Sequence, residues 1–235
     1  YSRTHNPTRT NFERAMASIE NAEYGLAFAS GLAAIDAIIK TLSPGDEIIS
    51  TNDLYGGSYR LFKQIFEKYE LKFHFVNMED LTSVEEIINS NTKLIWVETP
   101  TNPMMNVVDI KSMSFLAKKN NILLCVDNTF ATPLIQKPHK LGIDIILHSA
   151  TKYFGGHSDI CAGAVAASTE HREIIWNLSK NIGGSLSDYT AWLLERSMKT
   201  LSVRFFAQQK NAEQLSKYLT ECRFIDKVYY PGLEE

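Results

Sequence analysis

Residues 121–153 read NILLCVDNTFATPLIQKPHKLGIDIILHSATKY, and this stretch decides the fold class. It holds two short apolar runs, at 122–126 and 144–148, separated by a segment long enough for a helix. The runs are nearly continuous in hydrophobicity, which is typical of strands in a parallel sheet that is covered by helices on both faces. We therefore predict a strand–helix–strand unit, with Asp127 and Lys152 just beyond its two strands.

The same alternation extends over the preceding residues. Further apolar runs lie at 46–50, 72–76 and 93–97, and helical patterns lie at 32–42, 61–69, 84–90 and 110–120. Ser30 is placed to cap the first of these helices, and Pro44-Gly45 ends it. The repeated alternation predicts an α/β fold, with a doubly wound, mostly parallel sheet sandwiched by helices.

The C-terminal quarter has a different pattern. Residues 185–230 contain no Gly or Pro and carry an apolar stripe at helical spacing, which predicts one long helix with at most one break. Ser185 and Asp188 resemble a capping box at its start, and 227–230 would form the first strand of a small α+β domain. We therefore divide the chain into an N-terminal arm and first helix (1–24), a cofactor-binding large domain (25–220) and the start of a C-terminal domain (221–235). A first residue other than Met and an end just after a new strand indicate a segment of a longer protein.

Composition excludes several classes of function. The 235 residues are 44% hydrophobic and 22% charged with a net charge of −3, so neither nucleic acid nor an anionic membrane is an expected partner. No apolar stretch could span a bilayer, and no signal segment opens the chain. Cys125, Cys161 and Cys222 are odd in number and far apart, which favours buried reduced thiols and a cytoplasmic protein.

Three segments at predicted strand ends could meet in one crevice, because ligands of open parallel sheets bind beyond the carboxyl ends of the strands. The turn ASGLAA at 29–34 feeds a helix whose N–H groups could hold a phosphate, although small residues there more often serve packing. Asp127 could be only a turn former, and a lone lysine such as Lys152 is usually a solvated surface charge. Because a phosphate-binding turn, an acid and a lysine occur together at successive strand ends, we favour a functional site over these structural interpretations.

This conjunction is what pyridoxal 5'-phosphate requires. A lysine forms a Schiff base with its aldehyde, a carboxylate keeps its pyridine nitrogen protonated, and hydroxyls bind its phosphate. Lys152, Asp127 and the hydroxyls of Ser149 and Thr151 are the candidates for these roles.

Several motifs resemble those of the Cys/Met-metabolism (transsulfuration) family of fold-type-I pyridoxal phosphate enzymes, and the likeness covers essentially the whole chain. The matching motifs are YSRTHNPT (1–8), SGLA (30–33), YGGSYR (55–60), ETPTNP (98–103), DNTF (127–130), SATKY (149–153), GHSD (156–159), GG (183–184), LLER (193–196) and KTL (199–201). Each motif alone is weak, but together they are highly specific.

The resemblance implies a role for each matching residue. Lys152 would bond the cofactor and then move protons, Asp127 would pair with the pyridinium nitrogen, and Tyr55 would stack on the ring and assist proton transfer at the leaving group. The residues expected to hold the phosphate are Gly31, Leu32, Ser149 and Thr151, with Tyr1 and Arg3 reaching the phosphate of a neighbouring subunit.

Two further contacts and an assembly follow from the same resemblance. Asn102 would lie near the ring hydroxyl and the substrate carboxylate. Arg60 would either contact a substrate carboxylate or remain a surface arginine. Shared sites imply a homodimer or homotetramer that acts on small amino-acid substrates.

Two residues depart from the family pattern. His5 stands where Gly is common, which leaves the local turn open. Gly57 stands where methionine γ-lyases usually carry a cysteine, so that activity is disfavoured. The family's arginine for the substrate α-carboxylate, and a residue that helps set β- or γ-chemistry, belong to a C-terminal domain beyond this chain.

The run YGGSYRLF at 55–62 most resembles enzymes with cystathionine γ-synthase activity, which joins an O-acylated homoserine to cysteine. Cystathionine γ-lyase activity is the alternative. Methionine γ-lyase, cystathionine β-lyase and O-acetylhomoserine sulfhydrylase activities are less favoured.

Other classes of function find little support in the sequence. A nicotinamide-dependent dehydrogenase is disfavoured because the chain contains neither a Gly-x-Gly-x-x-Gly run nor a P-loop. A metal site is not expected, because the six histidines form no ligand-spaced pair, and His157 is a hydrogen-bonded loop residue rather than a ligand. A non-catalytic truncated module remains open, although Lys152, Asp127 and Tyr55 together argue against decay.

Overall fold

Seven strands form one sheet in the computed structural model, which describes residues 1–233. Along the sheet the order is β1-β7-β6-β5-β4-β2-β3, and β7 is antiparallel to both of its neighbours while the remaining pairs are parallel. The strands are β1 Tyr24–Phe28, β2 Glu47–Thr51, β3 Lys72–Val76, β4 Thr92–Glu98, β5 Leu123–Asp127, β6 Ile145–His148 and β7 Gly163–Ala167.

Helices cover both faces of this sheet. They are α1 Pro7–Glu20, α2 Gly31–Ile39, α3 Gly56–Arg60, α4 Leu81–Glu85, α5 Ile110–Lys119, α6 Thr132–Ile135, α7 Thr169–Ile182, α8 Asp188–Met198 and α9 Leu201–Thr220. Single helical turns lie at Leu61–Ile65, Phe66–Tyr69, Pro138–Leu141 and Thr151–Gly155. None of the helices in the described part of the chain combines the length and apolar character needed to cross a membrane.

Alternate residues of each central strand belong to opposite cores. Val126 and Ile146 pack with α1, α5 and α8, whereas Cys125 and Leu147 pack with α2 and α7. Successive side chains of a strand point to opposite faces of the sheet. Because both faces of these central strands are apolar, their sequences are continuous hydrophobic runs, and the fold was predicted from these runs. The doubly wound α/β sheet is therefore confirmed.

Five strands lie within one residue of their predicted bounds, whereas β1 and β7 were not assigned from the sequence. Their sequences, YGLAF and GAVAA, are rich in Gly and Ala, which have low strand propensity. The helix at 31–39 and its cap are confirmed, because the Ser30 hydroxyl accepts a hydrogen bond from Ala33 N–H at 3.0 Å.

The long helical segment is broken once, into α8 and α9, which the prediction of at most one break allowed. Two other details of the C-terminal quarter were predicted wrongly. Ser187, not Ser185, caps α8, because Ser185 pairs with Phe28 beside the sheet while the Ser187 hydroxyl accepts from Thr190 N–H at 3.3 Å. Residues 227–230 form no strand, since no neighbouring strand lies beside them within residues 1–233.

The three cysteines are free, but only Cys125 is buried. Cys161 is exposed and Cys222 is half-buried, so the prediction of burial holds for one of the three.

Candidate functional site

A cavity of about 210 Å³ opens at the carboxyl ends of β4, β5 and β6, beside the start of α2. This is the position at which open parallel sheets bind their ligands. The cavity is lined by Ser30, Gly31, Leu32, Ile35, Tyr55, Ser58, Glu98, Pro100, Asn102, Asp127, Thr129, Phe130, Leu147, Ser149, Thr151, Lys152 and Cys161. Eight residues predicted for the cofactor site therefore meet here, although they come from distant parts of the sequence. They are Gly31, Leu32, Tyr55, Asn102, Asp127, Ser149, Thr151 and Lys152.

Asp127 is the last residue of β5 and is 8% exposed. Its Oδ1 accepts hydrogen bonds from the Thr129 N–H at 3.0 Å and the Thr129 hydroxyl at 2.5 Å. That hydroxyl accepts in turn from Ser149 N–H at 2.8 Å, which joins the acid to the segment carrying the lysine. Burial raises the pKa of the Asp127 carboxyl, and the Thr129 hydrogen bonds oppose this shift. Asp127 is thus both a turn former and an acid on the cavity wall.

A buried polar network lies behind Asp127. Glu20 Oε1, at the end of α1, contacts His148 Nε2 at 2.5 Å and accepts from Asn128 Nδ2 at 2.9 Å. Asn128 also donates to Gln136 O at 3.1 Å and accepts from Gln136 Nε2 at 2.8 Å. Glu20 and His148 are almost completely buried. The network ties α1 to Asn128, which follows β5, and to His148, the last residue of β6.

Lys152 lies in the single helical turn Thr151–Gly155 that follows β6, and the turn is interrupted at Lys152 itself, where ψ is −108°. Its side chain is exposed on the same cavity as Asp127 and forms no salt bridge within residues 1–233. Arg204 of α9 secures the turn by donating to Tyr153 O at 2.9 Å. The backbone of this turn therefore places the Lys152 side chain at the cavity, and no salt bridge within the described residues occupies its amine.

The phosphate side of the cavity is built by close backbone contact. A Cβ added to Gly31 would lie 3.3 Å from Ser149 Cβ, so the start of α2 and the Ser149 segment leave little room for a side chain. The N–H groups at the start of α2 favour an anion. The Thr151 hydroxyl already donates to Ala162 O at 3.1 Å and accepts from Ala162 N–H at 2.9 Å. If Thr151 contacts the phosphate as predicted, its hydroxyl must do so while it also bonds to Ala162.

Tyr55 precedes α3 and is half-exposed on the cavity, with its N–H donating to Glu98 Oε2 at 3.0 Å. A Cβ on Gly57 would lie 2.3 Å from Tyr55 Cε1. The absence of a side chain at Gly57 therefore leaves the space that the Tyr55 ring occupies.

We expect Gly57→Ala in the full-length protein to displace the Tyr55 ring and to weaken pyridoxal phosphate binding about tenfold, the effect of losing roughly one aromatic contact. Gly56→Ala is the matched control, because the nearest atom to its Cβ is Arg60 Nη1 at 3.4 Å. Titration with the cofactor, followed by visible absorption, measures both. Equal affinities for the two variants would show that Gly57 does not govern the ring.

Three predicted residues lie away from the cavity. Arg60 is exposed at the end of α3 beside Gly56, and its contact with a substrate stays a prediction. Tyr1 is 87% exposed, and Arg3 donates to Lys180 O beside a different cavity, between α1 and α7. Within one chain, Tyr1 and Arg3 do not reach the cofactor cavity. His5, the departure from the family pattern, packs on Trp176 with 5.4 Å between ring centroids.

Several residues of the cavity, among them Glu98 and Ser58, had no role predicted from the sequence. Glu98, which belongs to the ETPTNP motif, lies at the end of β4 and is 6% exposed. Burial, and next the charge of Asp127, raise the pKa of Glu98 to about 9. An acid ending a buried strand was the available signal, because the same signal identified Asp127. His157 is a loop residue whose Nδ1 contacts Gly155 O at 2.7 Å, and residues 1–233 contain no cluster of three or more potential metal-ligating side chains.

The cavity fits pyridoxal phosphate by one independent criterion. Ser58 is completely buried on its wall, and its hydroxyl has no hydrogen-bond partner within the described residues. Buried hydroxyls are nearly always paired, so a polar ligand is expected to complete this wall. An acid, an amine, a helix start and an aromatic ring around such a cavity define a pyridoxal-phosphate-binding domain of the parallel-sheet type.

Comparison with known proteins agrees. The model of the Cys/Met metabolism PLP-dependent enzyme family matches residues 1–235. The chain is 47% identical over 233 residues to cystathionine γ-synthase/O-acetylhomoserine (thiol)-lyase of Bacillus subtilis (strain 168), covering 99% of this chain and 62% of that protein. It is 45% identical to cystathionine β-lyase of Staphylococcus haemolyticus (strain JCSC1435), covering 99% and 60%.

A solved structure shows the same fold. Cystathionine γ-lyase from Lactobacillus plantarum, complexed with L-serine, superposes with a TM-score of 0.98 at 44% identity, covering 99% of this chain and 61% of that one. The chain thus spans about three-fifths of the length of these relatives. It belongs to the Cys/Met metabolism family of PLP-dependent enzymes, and pyridoxal phosphate is its cofactor, as the sequence predicted.

Proposed function

We propose that the whole protein is a transsulfuration enzyme that acts at the γ-carbon of a homoserine-derived amino acid, with cystathionine γ-synthase activity. In this reaction the bond between Cγ and the acyl oxygen of an O-acylhomoserine breaks, the acid leaves, and the sulfur of cysteine bonds to Cγ. The observation that carries the proposal is the meeting of Lys152, Asp127 and Tyr55 at one cavity in a chain of this family. The YGGSYRLF run at 55–62 favours the γ-synthase within the family.

When bound, pyridoxal phosphate supplies a protonated ring that withdraws electrons from the substrate α-carbon. Asp127 would hold the proton on the ring nitrogen, and its two bonds from Thr129 keep its carboxyl oriented for this. The Lys152 amine would carry protons to and from the substrate Cα and Cβ, and the Tyr55 phenol would assist at the leaving group. Gly31, Leu32, Ser149 and Thr151 would hold the phosphate, and Asn102 would orient the substrate.

Cystathionine γ-lyase activity is the second candidate, in which cystathionine and water give cysteine, 2-oxobutanoate and ammonia. Its support is the near-identical backbone of the Lactobacillus plantarum γ-lyase. Cystathionine β-lyase must enter the same test, because a relative of that name is almost as similar as the γ-synthase relative.

Assays of the full-length protein separate these activities. We expect cystathionine to form from cysteine with O-succinyl- or O-acetylhomoserine, at a higher kcat/KM than cystathionine is cleaved. Formation of 2-oxobutanoate from cystathionine would instead identify the γ-lyase, and pyruvate with homocysteine the β-lyase. If no reaction occurred at Cγ with any of these substrates, the proposal would be wrong.

We also propose the domain organisation and assembly implied by the family resemblance: an arm and first helix at 1–24, a cofactor-binding domain at 25–220 and the start of a C-terminal domain at 221–235. The support for a shared site is that Arg3 and Tyr1 do not reach the cavity of their own chain. Mixing an inactive Arg3→Ala subunit with an inactive Lys152→Ala subunit tests it. Activity recovered in the mixture would support a site shared between subunits.

A further inference from the structure

Two buried carboxyl groups lie side by side at the carboxyl edge of the sheet. Glu98 ends β4 and Asp127 ends β5, and the two residues are direct partners in the parallel register. They are 6% and 8% exposed, and both line the cofactor cavity. Neither forms a salt bridge in the part of the chain that the structure describes. Two like charges so placed are not both stable, so the pair is expected to retain a proton.

The hydrogen bonds indicate which acid keeps the charge. Asp127 Oδ1 accepts two bonds from Thr129, at 3.0 and 2.5 Å. Glu98 accepts one hydrogen bond of good geometry, from the Tyr55 N–H at 3.0 Å, and the more weakly placed Asn102 N–H also favours its charged form. Hydrogen bonds donated to a carboxylate stabilise its charged form, so Asp127 is the better anion.

We propose that Glu98 is a positioning residue, which anchors the Tyr55 turn to the end of β4 as a neutral carboxylic acid and leaves Asp127 to carry the charge of the pair. The Tyr55 ring is thereby fixed at the cavity without a second negative charge beside Asp127. The charge assigned to Asp127 rests on the proposed cofactor chemistry, whereas the anchoring of Tyr55 does not.

The other ionisable groups around Glu98 either favour its neutral form as well or line the same cavity without forming an ion pair with it. Asp53, from the loop after β2, adds a negative charge that raises the pKa of Glu98 further, and its Oδ2 is held by Met104 N–H at 2.9 Å. Tyr55 comes from the turn before α3 and Asp127 from β5. Lys152, from the turn after β6, is the cation of the cavity and forms no salt bridge with Glu98 within residues 1–233.

The first test is the Tm of the full-length apoprotein as a function of pH, for the wild type and Glu98→Gln. The folded-state pKa of about 9 lies above the ordinary value of 4.5. The stability that Glu98 contributes is therefore fully present below the lower value and is lost as the pH rises through the upper one. The Tm of the wild type should fall relative to that of Glu98→Gln between about pH 5 and pH 9. A Tm difference that stays constant with pH would overturn the neutral acid.

The second test is the dissociation constant of pyridoxal phosphate, measured by titration. Glu98→Ala should weaken binding at least about fivefold, because Tyr55 N–H loses its buried acceptor. Glu98→Gln should recover most of this loss, since its amide oxygen is a neutral acceptor of similar shape. Recovery by Gln supports the anchor, and a loss with Gln as large as that with Ala would overturn it.

The dissociation constant of pyridoxal phosphate for Asp127→Asn, measured in parallel, distinguishes a failure of the Glu98 inference from a failure of the proposed function. If Asp127→Asn weakens cofactor binding while Glu98→Gln does not, the charge lies on Asp127 as inferred. If Glu98→Gln weakens binding and Asp127→Asn does not, the charge lies on Glu98 and this inference is wrong. If Asp127→Asn has no effect on binding or turnover, the proposed function fails, and the Tm measurement on the apoprotein still decides the state of Glu98.

Discussion

Lys152→Ala in the full-length protein is expected to lower turnover by at least about 10³-fold, because it removes a positioned proton-transfer group together with the amine that bonds the cofactor. The structure leaves this amine on the cavity with no salt bridge in residues 1–233, while Arg204 holds the turn that carries it. Turnover with the best substrate of the wild type is the measurement.

Lys93→Ala is the control for that experiment. Lys93 is an exposed lysine near the start of β4, at the opposite end of that strand from the cavity, and it donates to Ser90 O at 2.8 Å. Its substitution should leave turnover close to that of the wild type. A Lys152→Ala protein that is folded and retains more than about a tenth of wild-type turnover would contradict the role assigned to Lys152.

Glu20→Ala is expected to lower the free energy of unfolding by about 3 kcal/mol, because it removes the buried partner of both the Asn128 amide and the His148 ring. Glu20 is completely buried, and its Oε1 serves both His148 and Asn128. Its Oε2 has no partner within the described residues. Burial of the Glu20 carboxyl is therefore unfavourable by itself, and the contacts of Oε1 with His148 and Asn128 offset this. Denaturant unfolding of the apoprotein measures the loss.

Glu85→Ala is the matched comparison, since Glu85 pairs with Lys119 at 2.9 Å on the surface, where such pairs contribute about 0–1 kcal/mol. Glu20→Gln should lose less stability than Glu20→Ala, because it keeps one acceptor oxygen. Equal losses from Glu20→Ala and Glu85→Ala would show that the network behind Asp127 is not a structural anchor.

The sequence predicts best where a single physical pattern dominates. The strands β2, β4, β5 and β6 are nearly continuous apolar runs because both of their faces are buried, and this pattern needs no knowledge of their neighbours. Asp127 and Lys152 were found because polar residues that directly follow such runs must lie at the carboxyl edge of the sheet. The strand β7 was missed because GAVAA is favoured there by its two neighbours rather than by its own propensity.

The features that the sequence did not predict depend on pairs of distant residues. Glu20 and His148 meet across 128 positions of the chain, and neither residue alone indicates the contact. The shifted pKa of Glu98 arises from its burial and from Asp127 on the adjacent strand. Arg60 has the residue type of a substrate contact, and its exposed position at the end of α3 is known only from the structure. Only the folded arrangement distinguishes such cases.

Borohydride reduction of the full-length protein with bound pyridoxal phosphate, followed by peptide mapping, tests the central claim most directly. Reduction makes the bond between the lysine amine and the cofactor aldehyde permanent, so the modified residue can be located by mass. We predict that the cofactor is trapped on Lys152, and that the Lys152→Ala protein shows no such adduct. Trapping at another lysine, or no trapping in the full-length protein, would contradict the assignment of this cavity as the cofactor site.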